Sequence, residues 1–398
     1  MALKDIYKKA SLVMKPAAVK VGKLYSQQPH SGDGDFTATV SGNGTLINKH
    51  GLIEKAKLNT PRLSYDLDAD GNVSECPHLL LEASRTNNIL QSNDPSGANW
   101  TDPLSRWTLL TDTTTAPDGG TVRIIELTES TGSLIRLTGF SVASGTYTIS
   151  FYIKDIDGNL TGGNVDIGDE GSGVPSPAFG DVGSDWVRAT RTITTTGTKT
   201  HIDLQPTFSG SANKVAIWGV QLEEGSYETS LIPTSGGILE RTEDFCNIPS
   251  ELGNVLNTSE GTLFIDVEVP RVSSIGSFER ITLSDQTSST DRILFDNFGG
   301  SWRALILSTA GNINKTIVGV TANQRIKVAI AYSATSLRIS YDGNTATTTS
   351  GSYTPTTTLE SFKFSNKDGG SKWQGRIHQT AYFPTALSNT ELQELTTI

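Results

Sequence analysis

Cysteine is almost absent: Cys76 and Cys246 are the two in a chain of 398 residues. That scarcity excludes a fold stapled by several disulfides, and two thiols in unrelated contexts read as unpaired in a reducing compartment. Aromatic residues are lean at 7% and hydrophobic residues stand at 35%. Such a supply fills a sandwich core only where apolar residues alternate along strands. No apolar run approaches the length that crosses a bilayer, so membrane insertion is not expected. Ala10–Met14 is too short for the apolar region of a secretory signal.

Signatures of chemistry are missing as well. The five histidines (His30, His50, His78, His201 and His378) show no pair at zinc-ligand spacing, and the cysteines form no C-x-x-C. No serine sits in a G-x-S-x-G elbow; Ser172, in the loop 168–173, comes nearest. Gly22-Lys23 lacks the upstream glycine of a phosphate loop. The segment Asp66–Gly71 opens like a calcium loop, but its twelfth position is Pro77 rather than a bidentate Glu. A hairpin turn with Asp70-Gly71 at the bend accounts for it better. These absences point to a chain that is not an enzyme, with no metal and no cofactor.

Positive charge is short overall. The formal net charge of −10 argues against a nucleic-acid partner, which calls for a basic face. The exception is residues 1–23, where Lys4, Lys8, Lys9, Lys15, Lys20 and Lys23 stand against Asp5 alone. Over residues 1–15, Leu3, Ile6, Tyr7, Ala10, Val13 and Met14 fall on one helical stripe, which Pro16 ends. So short a helix is marginal alone in water and needs a surface for its stripe. Its own sandwich is one such surface, and another subunit or assembly is the other. We take the second as the expectation: an anchoring arm over 1–30, with Lys4, Lys8, Lys9 and Lys15 docking on an acidic surface.

What the chain has in abundance is turn and strand chemistry. There are 39 glycines, and Ser and Thr are frequent, which suits short strands joined by many turns. Residues 31–93 read as short strand pieces. Residues 94–235 read as a β-sandwich, with Tyr147, Ile149, Phe151 and Ile153 alternating against polar neighbours and further strands near Trp186–Ile193 and Lys214–Leu222. Residues 236–256 read as a connector. A second sandwich over 257–398 shows the same alternation at Leu263–Val269, Ile326–Tyr332 and Leu337–Tyr341, the last meeting the turn signal Asp342-Gly343-Asn344. Ser388-Asn389-Thr390-Glu391 is a capping box that opens a short helix over Glu391–Leu395. The fold class is therefore all-β: two successive β-sandwiches preceded by an arm with a short helix, to which the resemblance described next adds a jelly-roll topology.

Several stretches resemble tailed-phage virion-surface proteins. The most specific are Pro61-Arg62-Leu63-Ser64-Tyr65-Asp66 and Cys76-Pro77-His78-Leu79-Leu80-Leu81-Glu82-Ala83-Ser84-Arg85-Thr86-Asn87. Thr45–Glu54 is similar to another block of that family, although Lys49 and His50 depart from its pattern. Gly219–Gly225 with Thr229–Thr234 looks like the close of its carbohydrate-binding-module-like jelly roll. The second sandwich resembles a concanavalin A-like, laminin-G-like domain through Gly261–Ile265, Arg325–Tyr332 and Tyr382–Leu392. The resemblance implies a structural protein of a phage particle, displayed on the virion surface in a tail or fibre. It would be assembled in the host cytoplasm, held to other virion proteins by its arm, homo-oligomeric with a trimer favoured, and bound to host-surface glycans. Head decoration and polysaccharide depolymerisation are the alternatives.

Sugar recognition calls for an aromatic face beside planar polar groups. Trp302 and Trp373 follow Gly-rich turns and are the candidates, with Arg303 and Asp296 as polar neighbours. Trp218 and Trp186 read as core residues, while Trp100 and Trp107 flank a loop. A depolymerase would need two carboxylates across the scissile bond. Asp266 and Glu268, at i and i+2 on one strand, share a face at roughly 6–7 Å, though Phe264 stands where a third acid would be expected.

Overall fold

The computed structural model describes residues 3–68, 70–248, 252–269, 280–285, 291–298, 301–317, 319–321, 323–366 and 369–397. The chain is all-β and antiparallel, with a short helix near each end. It divides into two compact units. The first unites residues 1–41, 57–83 and 243–398, and the second unites 42–56 and 84–242.

The second unit is a sandwich of two sheets of five strands each among the described residues. One runs in the order Trp100–Thr101, Ile135–Val142, Lys199–Phe208, Leu160–Ile167 and Glu170–Gly173. The other runs Trp107–Thr115, Thr121–Leu127, Asn213–Glu224, Gly145–Asp155 and Val187–Thr195. The alternation seen in the sequence fills its core: Tyr147, Ile149, Phe151 and Ile153 meet Val165, Ile167, Ile202 and Leu204 between the sheets. Gly219 breaks the alternation. Its φ of 66° and the register shift beside it form a bulge, so that Ala216 and Trp218 face outward while Val220 and Leu222 return to the core. Trp218 packs there with Tyr152 and Trp186. Two pieces outside 94–235 also belong to this unit: the hairpin Thr45–Ile47/Ile53–Lys55, and Arg85–Asn87, which pairs with Leu239–Arg241.

The sequence block around Asn87 owes its character to a buried polar network. The Asn87 side chain donates to the carbonyls of Val220 and Ile232 at 3.2 and 2.9 Å and accepts from Leu222 N and Ile89 N at 3.1 and 3.0 Å. Gln221 donates to Glu223 at 2.8 Å, and Glu223 accepts from both the backbone and the hydroxyl of Thr229. Buried polar groups persist only when satisfied in this way.

The first unit is a larger sandwich. One sheet runs Thr347–Ser350, Ser336–Tyr341, Gln324–Ser333, Gly261–Val269, Gly375–Phe383, His78–Leu81 and Arg62–Ser64, with Leu12–Met14 added along Thr380–Tyr382. The facing sheet runs Val19–Lys20, Lys23–Leu24, Phe36–Thr39, Phe245–Ile248, Ser361–Lys363, Arg280–Ser284, Arg292–Phe298, Ser301–Ser308 and Gly311–Ile317. Leu263, Ile265, Val267, Ile293, Phe295, Ile306, Val328 and Ile330 fill the space between them. Helix α1 (Leu3–Tyr7) and helix α2 (Asn389–Thr396) cover the outer side of the first of these sheets, where Ile6, Ala10, Leu392 and Leu395 pack on Phe264, Ala381 and Phe383. The capping box is formed as its sequence predicts. Asp342 and Gly343 both take positive φ in the turn expected there.

The N-terminal expectation is corrected. The helix stops at Tyr7, because Leu12–Met14 gains more as an added strand with Leu12 and Met14 in the core. The stripe expected to dock elsewhere is thus built into the first unit. Lys9 pairs with Glu391 at 2.5 Å and Lys8 with Asp5 at 2.7 Å, while Lys4 and Lys15 are exposed. Residues 31–93 and 236–256 are not regions of their own either, since both are shared out between the two units. Cys76 and Cys246 are free thiols, the first exposed and the second buried.

The Pro61–Asp66 and Cys76–Glu82 blocks frame a buried ion triad in the first unit. Arg62, Asp244 and Glu82 meet there, Arg62 lying 2.7 Å from Glu82 and bonded directly to Asp244, whose carboxylate also accepts from Glu82 N at 3.0 Å.

Candidate functional site

Strand parity decides where the expected residues go. Trp302 lies on the inner side of Ser301–Ser308 with Ala304 and Ile306, and it is 2% exposed. Trp373 is 1% exposed. The two rings pack 5.5 Å apart in the core, and Phe295 stacks on Trp302 at 5.0 Å. Neither offers a face to a ligand, which corrects their assignment. The glycines between Phe298 and Ser301 lie outside the described residues.

Arg303 and Asp296 have the opposite parity and come together on the outer face. Register sets Arg280 opposite Asp296, and Asp296 opposite Arg303. The buried Asp296 carboxylate accepts from Arg303 Nε at 2.7 Å and Nη2 at 3.2 Å, while Arg280 Nε lies 3.3 Å away. The Arg303 guanidinium lies over the Phe298 ring, 4.2 Å from its centroid. Phe298 is 49% exposed, one of the few large apolar side chains so placed.

These groups line a cavity of about 340 Å³ together with Arg292, Asn312 and Asn314, floored by Leu294, Leu305 and Leu307. Its size suits a small ligand. Among the described residues that line it, three are arginines and one, Asp296, is an acid. The Asp296 pair fixes the plane of Arg303 before any ligand arrives, and planar guanidinium forks are matched to carboxylates. The cleft thus combines planar donors, amides on the neighbouring strand and an aromatic side chain half in solvent. Phe298 was the residue the sequence reading missed: its parity relative to Asp296 and Arg303 was the available signal.

A second cavity, of about 600 Å³, belongs to the other unit and is lined by Ser84, Arg85, Asn88, Tyr147 and Glu224 among others. Its one arginine is already engaged, over the Tyr227 ring at 5.1 Å and 3.6 Å from Glu223, and Tyr147 is buried.

The pair Asp266 and Glu268 does share a face, as expected, but each carboxylate is taken. Arg325 donates to both oxygens of Asp266 at 2.7 and 2.8 Å, and Arg376 donates to Glu268 at 2.7 Å. Both acids are thus held in ion pairs with arginines.

Two of the histidines that look scattered in the sequence meet in the fold. The rings of His78 and His378 lie 5.5 Å apart on adjacent strands. Burial and the charge of Arg325 hold His378 down at about 4. Burial raises the nearby Asp66 carboxyl, but His78 and Arg376 outweigh it and hold the group at about 2.

Comparison with protein-family models and with curated proteins finds no match. Among solved structures the chain is similar to the CBM40 domain of the Ruminococcus gnavus IT-sialidase bound to α2,3-sialyllactose. The TM-score is 0.32 at 14% identity, over 37% of this chain and 91% of that one. It is similar to domains LG4-5 of the mouse laminin α1 chain, with a TM-score of 0.26 at 9% identity over 78% and 93%. The CBM22 tandem of Paenibacillus barcinonensis Xyn10C gives 0.23 at 13% identity over 75% and 98%. At these scores the likenesses carry no argument about ligand or role.

Proposed function

We propose that the chain is a non-enzymatic, glycan-binding structural protein of the phage virion surface, and that its first unit takes acidic sugars in the Asp296–Arg303 cleft. The observation that carries the glycan reading is that Arg280, Arg292 and Arg303 line one cleft with the exposed Phe298 and the buried Asp296, which pairs with Arg280 and Arg303. Guanidinium forks select carboxylate-bearing sugars, and the aromatic edge offers a surface for sugar C–H groups. The commitment of Asp266 and Glu268 to arginines supports binding rather than hydrolysis. The virion setting rests on the sequence blocks Pro61–Asp66 and Cys76–Asn87.

The test is calorimetric titration of the full chain with uronic-acid oligosaccharides, sialyllactose and their carboxyl-reduced forms. Binding is expected for an acidic form only and should weaken as salt rises. Arg292→Gln, which leaves the Asp296 pair in place, and Phe298→Ala should each reduce affinity about tenfold, the usual weight of an interface anchor. Equal binding of the reduced sugars, or indifference to both substitutions, would overturn the assignment. Labelling the protein on intact particles by electron microscopy tests the virion setting separately, and native mass spectrometry tests the expected trimer.

A further inference from the structure

We infer that Asp66, His78 and His378 form a binding site for a divalent transition-metal ion, with Zn²⁺ the best fit. One donor atom from each residue lies within 4.8 Å of the other two. His78 Nδ1 and Asp66 Oδ2 are 3.3 Å apart, close to the ligand–ligand edge that bonds of about 2.0–2.2 Å produce around a tetrahedral ion.

A second observation points into the same place. His78 is 2% exposed, and its Nδ1 makes no hydrogen bond; the Nε2 of His378 is buried and likewise without one. Buried imidazole nitrogens that make no hydrogen bond are costly, and His78 Nδ1, which meets Asp66 Oδ2 without hydrogen-bond alignment, and His378 Nε2 are explained together by an ion.

The fold brings the three together by local devices. His78 begins the strand His78–Leu81, next to Gly375–Phe383. His378 is the extra residue of a bulge, since Val267 pairs with Ile377 and Asp266 with Gln379. A bulge re-aims one side chain out of the strand's ordinary alternation. Asp66 follows the strand Arg62–Ser64, which pairs with His78–Leu81 from the other side.

The surrounding charges leave room for a cation. Arg376 Nη1 holds the other oxygen of Asp66 at 3.2 Å and Glu268 at 2.7 Å, and Arg325 is committed to Asp266. Three carboxylates thus face two guanidiniums around the two imidazoles. Two imidazoles and one carboxylate favour zinc or a similar ion over calcium or magnesium, which take oxygen cages. Asp66, with its side chain 34% exposed, leaves a solvent-side position for water as the remaining ligand. A similar grouping in the other unit, Asp169, His201 and Asp203, differs in that Arg136 holds both oxygens of Asp203.

The experiment is titration of the metal-stripped full chain with ZnCl₂ in a non-chelating buffer, paired with CoCl₂ to read ligand-field absorption. One equivalent of Zn²⁺ is expected, and Co²⁺ should give the bands of a nitrogen- and oxygen-ligated ion. Asp66→Asn and His378→Gln should each weaken binding by about tenfold or more, while His201→Ala leaves it unchanged. Asp66 is partly exposed, so its variant remains informative if His378→Gln fails to fold. No binding at stoichiometric zinc, or binding that survives both substitutions, would refute the site.

Discussion

Replacing Asp244 by Ala should be among the most damaging single changes in the first unit. Arg62 and Asp244 are wholly buried, and Glu82 keeps only 12% of its side chain in solvent. The triad therefore belongs with buried ion pairs, not with surface pairs worth at most about 1 kcal/mol. Removing Asp244 takes a buried counter-charge from the Arg62 guanidinium and the acceptor, at 3.0 Å, from Glu82 N. Breaking a buried pair from one side costs about 3–5 kcal/mol. At about 2–4 °C per kcal/mol for a domain of this size, the midpoint should fall by about 10 °C. Urea unfolding followed by hydrogen exchange measures the loss and assigns it. Protection should drop along Gly261–Val269 and persist along Gly145–Asp155, which lie in different units. The triple variant Arg62→Met, Glu82→Leu, Asp244→Leu leaves no stranded charge and should be more stable than Asp244→Ala. A loss under about 1 kcal/mol for the single variant, or a triple variant less stable than the single, would show that the triad is not held as a buried charge cluster.

Three other outcomes follow from the same geometry. Deleting residues 1–14 should lower the unfolding midpoint of the first unit, since Ile6 and Ala10 leave Phe264 and Phe383 uncovered and Thr380–Tyr382 loses a strand; an unchanged melt would restore a free arm. Trp302→Ala should cost about 3–5 kcal/mol by emptying the core, with sugar affinity of the folded protein intact; lost affinity at full stability would contradict its burial. Asp166→Asn should stabilise the second unit at neutral pH. Burial and the neighbouring Asp203 and Asp169 raise the Asp166 carboxyl to about 6, and its Oδ1 lacks a hydrogen bond. The folded state thus holds a proton that the unfolded chain releases near pH 4, so stability falls as pH rises from about 4 to 6 and stays reduced above. The gain should be on the order of 1 kcal/mol at pH 7, once solvent screening is allowed for, and vanish at pH 3, as read by urea unfolding at both; an equal gain at both would rule out titration as its origin.

Alternation along strands was the legible part of the sequence. Tyr147–Ile153 and Leu263–Val269 fill cores as their period predicts, and Ser388 with Glu391 opens α2. The same rule, applied to Trp302, Ala304 and Ile306, would have sent the tryptophan inward and brought Phe298 out with Arg303. Glycine turns were the weaker guide there, because a turn fixes where a strand begins and not which face it shows. The helical stripe of residues 1–15 misled because helix and strand compete locally, and an open strand edge at Thr380–Tyr382 decided for Leu12–Met14. The meeting of His78 with His378 had no local signal, since it depends on strand neighbours and one bulge. The family-like blocks were visible as words, but not that Arg62, Glu82, Asn87 and Gln221 hold buried networks, since their partners are distant in the chain.

The division of the chain sets an order of manufacture. A ribosome completes every strand of the second unit once residue 242 has emerged, and that unit can close while synthesis continues. The first unit cannot. Arg62–Ser64 can pair early with His78–Leu81, but Leu12–Met14 and His78–Leu81 must both wait for Gly375–Phe383, the strand they join. Until that strand is made, Leu12–Met14 and one side of His78–Leu81 are open apolar edges in need of shielding, so the finished unit of the nascent protein carries the unfinished one as an aggregation-prone cargo.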